Sequence, residues 1–388
     1  MNVTQANFTC YRNLEAVSVS FCPGVNVLWG RNAQGKSNIL EGIYYFARGR
    51  SFRGTRDRDL IMFGAPCARA EIGFIRRGSD APISLSAAIP HSGKKELSRN
   101  GARLRGSAEM LGIFRSVLFC PSHLSIVGGG PAERRAFLDI AIAQNSFSYI
   151  YYLSNYRRIV SERNALLKRA ASGAAVSREE WETYAQQLCL AAAEIYGERS
   201  QYCKELTCDV GDCFSEMTGG SEKPGLRYVS KFGSADDDAD PGVPCESREQ
   251  MAALLYGKLT ENIERETAVG TTLWGPHKDD IHITINGRDA RLFASQGQQR
   301  SVALAMKLAE GEISHRLTGE YPVFLLDDVF SELDGIRRAY IMEKLSGRQI
   351  IVTSCEPSVI PNLSAGNEIS FLEVSGGQIV GSGGDANV

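Results

Sequence analysis

The chain has 388 residues, a formal net charge of -2 and 23% charged residues, which excludes a protein that is strongly basic as a whole. This length predicts two or three domains, and any contact with nucleic acid would require a local basic patch. No apolar run approaches the roughly 18 residues of a membrane-spanning helix, and MNVTQANFTC lacks a signal-peptide pattern, so we expect a cytoplasmic protein with no membrane partner.

The first 130 residues carry strand and helix patterns in alternation. The apolar stretch FCPGVNVLWG ends a strand, and SNILEGIYYFARG, which comes soon after it, predicts a helix. The pair Asn100-Gly101 predicts a hairpin turn, because Asn and Gly tolerate the positive φ angles of a tight turn. This part of the chain therefore predicts an α/β fold.

Between that strand and that helix lies the pattern GxxxxGK[ST], which is typical of a phosphate-binding loop. Its glycines let backbone N–H groups surround phosphate oxygens at the positive end of the following helix. Lys36 would reach the β- and γ-phosphates, and the Ser37 hydroxyl would coordinate Mg²⁺. The alternative is a plain strand–turn–helix connection. The predicted ATP-binding residues of this loop are Gly30, Arg31, Asn32, Ala33, Gln34, Gly35, Lys36 and Ser37.

From Pro131 to about Thr267 the apolar residues recur at helical spacing, in three stripes. The stripes are too short and too interrupted for a long coiled coil. The acidic segment 233–244, between the second and third stripes, predicts a solvated loop. Cys203, Cys208 and Cys213 recur every five residues, a spacing that matches neither a zinc motif nor one face of a helix.

Strand patterns return after about residue 268. The pair Asn286-Gly287 follows alternating isoleucines and predicts a second hairpin, while YPVFLLDD and QIIVTS predict buried strands. Residues 375–388 predict a frayed tail. We therefore predict one α/β lobe formed by residues 1–130 and 268–388, split by an inserted helical lobe of residues 131–267.

Two acids follow the apolar strand VFLL. Phosphoryl transfer requires a carboxylate near Mg²⁺ and a group that orients the attacking water. We assign the first role to Asp327, acting directly or through water, and the second to Asp328 as general base or water-positioning residue. The alternative is that the acids only begin a loop. No histidine follows His315, so a sensor of the third phosphate at the next strand end would be a hydroxyl, that of Thr353 or Ser354.

These motifs, in this order and together with SQGQQ and SELD, resemble the ABC-type ATPase heads of the SMC group, and within it the RecF family of bacterial recombination mediators. The resemblance rests on CYRNLEAVSVSF, GVNVLWGRNAQGKSNILEGIYYF, PAERRAFLD, YRRIVSERNALLK, GPHKDDIHITING, ASQGQQRSVALAMKLAE and VFLLDDVFSELD. It implies an α/β ATPase head with a mixed sheet that carries the phosphate loop and with an antiparallel β subdomain. The helical lobe would be inserted into this head and would split it in sequence. The resemblance also implies ATP and Mg²⁺ as cofactors.

The resemblance further implies roles for residues outside the phosphate-binding loop. The SQG turn would be a signature motif that caps the γ-phosphate held by a second protomer, so that ATP drives formation of a homodimer. The alternative is a simple N-cap of the predicted helix 299–317. Arg53 would contact the γ-phosphate or, alternatively, be solvated. The implied residues are Arg12 and Asn13 at the nucleotide, Ser295, Gln296, Gly297 and Gln298 in the signature, Ser331 and Asp334 in the loop after the acids, and Ser37 and Asp327 at Mg²⁺.

Arginines also cluster outside these motifs. They could follow DNA phosphates without reading sequence, or form solvated helix faces balanced by glutamates. With the resemblance we favour contacts with the backbone of duplex DNA, and no aromatic stacking module for single strands is evident. The candidates are Arg56, Arg58, Arg134, Arg135, Arg157 and Arg158.

The resulting hypothesis is a RecF-type, ATP-dependent DNA-binding protein with weak, DNA-stimulated ATPase activity. The resemblance implies that a dimer clamps DNA at gaps and duplex–single-strand junctions near the nucleoid. It further implies work with RecR and RecO to load RecA, in replication, gap repair and the SOS response. Three alternative functions each require a different feature. A tethering SMC-like protein needs a long coiled coil, a transport ATPase needs a membrane subunit, and a small-molecule kinase would not show ATP-dependent retention of DNA.

Overall fold

The computed structural model describes residues 1–79, 81–232, 243–244, 246–356 and 368–384. The chain divides into two compact units, of which the first consists of Met1–His123 and Glu310–Val388 and the second of Leu124–Ala309. The first unit is therefore discontinuous in sequence. Its boundaries differ from the predicted lobes, because residues 268–309 belong to the second unit. The predicted loop 233–244 lies outside the described residues except at its last two positions.

The first unit contains an antiparallel sheet of six strands. One face of such a sheet packs on the core, so buried and less buried residues alternate along its longer strands. Asn100 and Gly101 form its last turn with φ angles of 49° and 78°, which confirms the predicted hairpin. In the spatial order β2-β1-β4-β5-β6-β7, the strands are β1 (Asn2–Tyr11), β2 (Leu14–Ser20), β4 (Cys67–Ile75), β5 (Ile83–Pro90), β6 (Glu96–Arg99) and β7 (Ala102–Leu104).

The second sheet of this unit is mostly parallel. It contains both buried strands predicted from YPVFLLDD and QIIVTS, and the former is buried at all five positions, as expected for a central parallel strand. Because five of the described strands of this sheet run parallel to one another, the carboxyl ends of these five strands lie at the same edge of the sheet. In the spatial order β16-β15-β3-β14-β13-β8, the strands are β3 (Val25–Trp29), β8 (Ser116–Phe119), β13 (Val323–Asp327), β14 (Ile350–Ser354), β15 (Ile369–Ser375) and β16 (Gln378–Gly384).

The prediction of a frayed tail after residue 375 was wrong for residues 375–384. Strands β15 and β16 form an antiparallel hairpin whose turn, Gly376-Gly377, has φ angles of 55° and 78°. The segment is rich in glycine and lacks an alternating apolar pattern, so its strand structure depends on pairing with β15. Residues 385–388 of the predicted tail lie outside the described residues.

The helices include those predicted after the phosphate-binding loop and around residues 299–317. The helix after the loop contacts strands of both sheets of the first unit. Within the described ranges, no helix combines the length and apolarity needed to cross a bilayer. The helices are α1 (Lys36–Arg48), α2 (Ser107–Met110), α3 (Ser125–Gly128), α4 (Pro131–Ala143), α5 (Phe147–Ala171), α6 (Arg178–Thr218), α7 (Arg248–Glu261), α8 (Ile263–Val269), α9 (Ala290–Phe293), α10 (Gln296–Thr318) and α11 (Gly335–Lys344).

In the second unit, α5, α6 and α7 correspond to the three predicted apolar stripes, and α6 packs on both other helices. Helix α6 is the longest of the three, and buried Leu206, Val210 and Phe214 continue its apolar side toward its carboxyl end. The hairpin predicted at Asn286-Gly287 joins the last two strands of a four-stranded antiparallel sheet. In the order β10-β9-β11-β12, these strands are β9 (Pro224–Ser230), β10 (Val243–Pro244), β11 (Asp280–Ile285) and β12 (Arg288–Asp289).

A buried polar network ties α4, α5 and α6 together. The Asp139 carboxylate accepts hydrogen bonds from Arg199 Nη2 at 2.7 Å and from the Tyr149 hydroxyl at 2.6 Å. The side chain of Arg199 is 2% exposed. A buried charge without a partner is strongly unfavourable, so these bonds fix the side of α5 that faces the core.

His277, in the same unit, is held in its neutral form. The Tyr156 hydroxyl lies 2.6 Å from His277 Nδ1, and Nε2 lies 3.0 Å from the carbonyl oxygen of Thr272. A carbonyl only accepts, so Nε2 carries the proton and Nδ1 accepts from the tyrosine. Burial, which disfavours the charged ring, lowers the pKa of His277 to about 4.

Replacing His277 with Gln is therefore expected to flatten the dependence of stability on pH. Because the folded-state pKa lies below the unfolded value of 6.5, the stability associated with His277 is fully present above pH 6.5 and is lost as the pH falls toward 4. The loss in the parent protein should reach up to about 3 kcal/mol. Denaturant melts between pH 7.5 and pH 4 measure it. Equal pH slopes for parent and variant would contradict the assignment.

Candidate nucleotide site

A cleft of about 340 Å³ opens where β3, β13 and β14 end. Open α/β sheets bind ligands beyond the carboxyl ends of their strands. The cleft is formed by the phosphate-binding loop, the first turn of α1 and residues that follow β13 and β14. Its lining residues are Asn13, Asn32, Ala33, Gln34, Gly35, Lys36, Ser37, Asn38, Arg53, Asp328, Thr353 and Cys355.

Two positions of the loop require glycine. Gly30 has a φ of 144°, and a Cβ atom there would lie 2.3 Å from the carbonyl oxygen of Val374. Gly35 has a φ of 109°, and a Cβ atom there would lie 2.9 Å from Asn13 Oδ1. The ammonium group of Lys36 donates to the carbonyls of Gly30 and Arg31, the latter at 2.8 Å. The glycines therefore let the loop pack closely against Val374 and Asn13, and Lys36 places a cation at the centre of the loop.

The hairpin of β15 and β16 supports this loop from the other side. Gln34 accepts hydrogen bonds from the N–H groups of both turn glycines. Its side-chain Oε1 lies 2.5 Å from the backbone nitrogen of Gly376. Its backbone carbonyl oxygen lies 3.0 Å from the backbone nitrogen of Gly377. A segment predicted as a tail thus holds one of the predicted ATP-binding residues in place.

The two acids after β13 occupy different positions. Asp327 is buried, and its Oδ1 accepts a hydrogen bond from the Thr353 hydroxyl at 3.0 Å. Asp328 lines the cleft, and its backbone N–H donates to the same hydroxyl at 2.9 Å. Asp328 has a φ of 52°, a conformation that costs most residues about 1 kcal/mol or more and is common at functional sites. Thr353 thus links the two acids, and only Asp328 faces the cleft.

The neighbouring predicted residues make local contacts. The Ser354 hydroxyl donates to the carbonyl of Glu356 at 2.7 Å, and the Ser331 hydroxyl donates to the carbonyl of Asp328 at 2.8 Å. Asp334 caps α11, and hydrogen bonds from the backbone and side chain of Arg337 lower its pKa. These contacts shape the two loops around Asp328. The roles of these residues as switch and dimer contacts stay predictions.

The sequence reasoning missed Glu41, a fully buried carboxylate on α1. Its oxygens lie 2.9 Å and 3.1 Å from Nη2 and Nε of Arg12, and 3.6 Å from Nη1 of Arg53. Burial disfavours the charge of Arg12, but its contacts with Glu41 outweigh this and raise its pKa. An acid inside the apolar run NILEGIYYF was the signal that could have identified it.

Both predicted arginines contact Glu41, but only one of the two also lines the cleft. Arg12 also donates to Thr55 and to the carbonyl of Asp59, and it is absent from the cleft lining, so its direct contact with ATP stays a prediction. Arg53 does line the cleft, where its Nη1 donates to Asn38 Oδ1 at 2.9 Å. Asn38 in turn donates to Asn13 Oδ1 at 2.7 Å. Arg53 is therefore tied into the site.

The predicted signature lies in the second unit, at the start of α10. Ser295, Gln296 and Gly297 are exposed. Ser295 and Gln298 cap one another, since the Ser295 hydroxyl accepts from the backbone N–H of Gln298 at 3.3 Å and the Gln298 Oε1 accepts from that of Ser295 at 2.7 Å. Gln298 also donates to Glu222. The N-cap geometry is thus present, and a trans role would be carried by the three exposed residues.

The candidate DNA-contacting arginines divide into two groups. Arg134 is buried and makes two hydrogen bonds to Asp280, at 2.6 Å and 2.9 Å, so its prediction as a DNA contact is withdrawn. Arg135 is half-buried and donates to the carbonyl of Asp279, and its burial lowers its pKa. The exposed candidates that remain are Arg56, Arg58, Arg157 and Arg158.

The residues of the cleft fit a nucleoside triphosphate with Mg²⁺. Backbone N–H groups and Lys36 suit phosphate oxygens, and the Ser37 hydroxyl supplies an oxygen ligand of the kind that Mg²⁺ prefers. Asp327, the predicted second partner of Mg²⁺, is buried and is not among the lining residues. Across the described part of the chain, no group of three or more His, Cys, Asp and Glu side chains could hold a metal alone. A Mg²⁺ ion that is held mainly by phosphates and water needs no such group.

The sequence and the structure are similar to those of known proteins over almost their whole length. The profile of the family described as RecF/RecN/SMC N terminal domain matches residues 2–373. The chain is 36% identical to the DNA replication and repair protein RecF of Thermoanaerobacter sp. (strain X514), over 88% of this chain and 91% of that one. It is 34% identical to the RecF of Halalkalibacterium halodurans, over 98% and 99%.

A solved structure is also similar. The recombination mediator protein RecF bound to ATP, of the RecFOR pathway, superposes with a TM-score of 0.86 at 32% identity, over 98% of this chain and 99% of that one. The predicted ATPase-head fold is thereby confirmed.

Proposed function

The chain belongs to the RecF family of SMC-like ABC-type ATPases, and from this premise we propose that it is an ATP-dependent DNA-binding protein of replication and gap repair. The observation that carries the proposal is the cleft itself. It combines a glycine-dependent phosphate loop, Lys36, and Asp328 on the adjoining strand end. RecF relatives are DNA replication and repair proteins, and a solved one binds ATP, which supports the same ligand here.

Two edges of the cleft would supply the groups that carry out ATP hydrolysis. The loop N–H groups and Lys36 would hold the phosphates, and Arg53 would approach the γ-phosphate from the Asn38 side. Asp328 would orient the attacking water, with its backbone N–H fixed by Thr353. Bound between Ser37 and the acids, with Asp327 acting directly or through water, Mg²⁺ would neutralise charge that develops on the phosphates.

The second half of each site would come from a second copy of the chain. Ser295 and Gly297 are exposed at the start of a 23-residue helix, where N–H groups and the helix dipole favour an anion. We infer that ATP sandwiched between these residues and the loop of another protomer closes a dimer. Ser331 and Asp334, which stand beside Asp328 in the chain, would adjoin this interface.

The dimer would clamp DNA, and hydrolysis would release it. Exposed Arg56, Arg58, Arg157 and Arg158 suit phosphate contacts that do not depend on sequence. The solved relative belongs to the RecFOR pathway, which supports RecR and RecO as partners. We further propose that these proteins together load RecA at gaps and junctions. The proposal includes a role in the SOS response and a location beside the nucleoid.

The test is retention of DNA as a function of ATP. With ATP, affinity for a gapped duplex should rise at least ten-fold over ADP, and the logarithm of affinity should fall with the logarithm of salt by about 0.9 for each phosphate contacted. Asp328→Asn should keep ATP-dependent retention and slow its release. DNA affinity that does not depend on the nucleotide would contradict the proposal, and phosphate transfer to a metabolite would favour a kinase.

A further inference from the structure

A line of exposed aromatic and basic side chains runs along α5 in the second unit. Phe147 and Tyr151 are 71% and 66% exposed, and the side chains of Arg157 and Arg158 are 61% and 59% exposed. Residues four and seven positions apart lie on one face of a helix, so Phe147, Tyr151 and Arg158 form a single stripe. Arg157 flanks it. We call these four residues the α5 stripe.

The buried side of α5 fixes this orientation. Tyr149 donates to Asp139 at 2.6 Å and accepts from Arg199 Nε at 2.9 Å. Further along the helix, buried Arg163 contacts Glu266 at 2.5 Å. These bonds would all break if α5 turned its aromatic stripe inward. The buried hydrogen bonds on the opposite side of α5 therefore keep the two rings, which lie one turn apart, exposed to solvent.

The stripe carries excess positive charge. Asp139, the acid nearest Arg157, also pairs with Arg199, so one carboxylate is shared by two guanidinium groups at 2.7 Å and 3.0 Å. Arg158 pairs with Glu162 at 2.7 Å, but an exposed ion pair of this kind contributes little to stability and can give way to a phosphate. A polyanion therefore finds positive charge on the same helix, about 10 Å along its axis from Tyr151.

We propose that the α5 stripe binds single-stranded DNA, with bases stacked on Phe147 and Tyr151 and phosphates on Arg157 and Arg158. The inference rests on the proposed function and adds the single-stranded side of the junction. The two ring positions are about 6 Å apart along the helix axis, which exceeds the 3.4 Å rise of bases stacked in a duplex. They therefore suit the bases of an unstacked strand. Stacking on aromatic rings tolerates every base, as a clamp without sequence preference requires.

The test uses a dT20 strand and a duplex of equal length, each with ATP present. Phe147→Ala/Tyr151→Ala should lower affinity for dT20 by about 10- to 100-fold, leave affinity for the duplex within two-fold, and leave the salt slope unchanged. Arg158→Gln should instead reduce the salt slope on dT20 by about 0.7. Leu190→Ala, which removes another side chain that is 73% exposed, on α6, is the matched control and should bind both DNAs as the parent does.

The outcomes separate this inference from the function on which it rests. Unchanged dT20 affinity in the double variant overturns the stacking site, as does an equal loss on duplex. Unchanged dT20 affinity with loss of binding to RecR or RecO would show that the stripe is a protein interface and would overturn it too. If the parent retains neither DNA in the presence of ATP, the proposed function itself has failed. Both rings are exposed, so the substitutions should not disturb the fold. Equal melting temperatures for parent and variants would exclude misfolding.

Discussion

Replacing Lys36 with alanine is expected to abolish ATP binding at micromolar nucleotide while leaving the fold intact. The ammonium group lies at the centre of the loop, where it donates to the carbonyls of Gly30 and Arg31 and is positioned to reach phosphate oxygens. Hydrogen bonds to charged groups contribute about 1.5–3 kcal/mol each, so losing the expected bonds from Lys36 to the β- and γ-phosphates should weaken ATP binding by at least 100-fold. Titration calorimetry with ATP and Mg²⁺ measures it directly.

The control for that experiment is Lys94→Ala, which removes an exposed lysine from the same unit. It should bind ATP as the parent does. Both variants should show the circular dichroism of the parent. If Lys36→Ala binds ATP with the parent affinity, the assignment of residues 30–37 as the phosphate site is wrong.

The second large effect is expected from Ser295→Arg, which should prevent ATP-driven dimerisation without reducing ATP affinity in the monomer. Ser295 is exposed at the start of α10, and an arginine there would place a bulky side chain where the partner's phosphate is expected to lie. We expect the dimer dissociation constant to rise at least ten-fold, or about 1.4 kcal/mol. Sedimentation with a slowly hydrolysed ATP analogue reports the change.

Ser92→Arg provides the matched control, because it adds the same side chain at an exposed serine of the first unit. It should dimerise normally. Normal dimerisation of Ser295→Arg would remove the trans role of the signature, and loss of ATP binding in the isolated monomer would show that the substitution acts within its own chain. The two results are distinguished by measuring nucleotide affinity at a protein concentration below the dimer threshold.

The parts of the molecule that depend on local sequence could be predicted. The strand–loop–helix around residues 30–37 and the hairpin at Asn100-Gly101 were identified because short-range steric requirements select glycine and asparagine at particular φ angles. The strand before Asp327 was identified because a strand buried on both faces is apolar throughout. Each of these signals lies within about ten residues.

The errors arise where partners are far apart in sequence. Arg134 was proposed as a DNA contact, but its carboxylate partner, Asp280, lies 146 residues away. The burial of Glu41 is likewise explained by Arg12 and Arg53, which lie in other parts of the chain. The error at β16 has a different cause, because this strand pairs with the adjacent β15 but is glycine-rich and has no apolar pattern of its own. The aromatic stripe of α5 likewise needed the structure, because spacing alone could not show that Tyr149 turns inward while Phe147 and Tyr151 face solvent.

The position of β3 has a consequence for synthesis of the chain. Its two neighbours in the sheet are β14 and β15, which lie more than 300 residues later. At the translation rate of about 5–20 residues per second, roughly 20 seconds to a minute separate emergence of the phosphate loop from that of the strands that support it. The second unit, by contrast, is one continuous segment, Leu124–Ala309, and can fold on the ribosome. The nucleotide site is thus completed last, so a nascent chain cannot hold ATP before nearly all of it has been made.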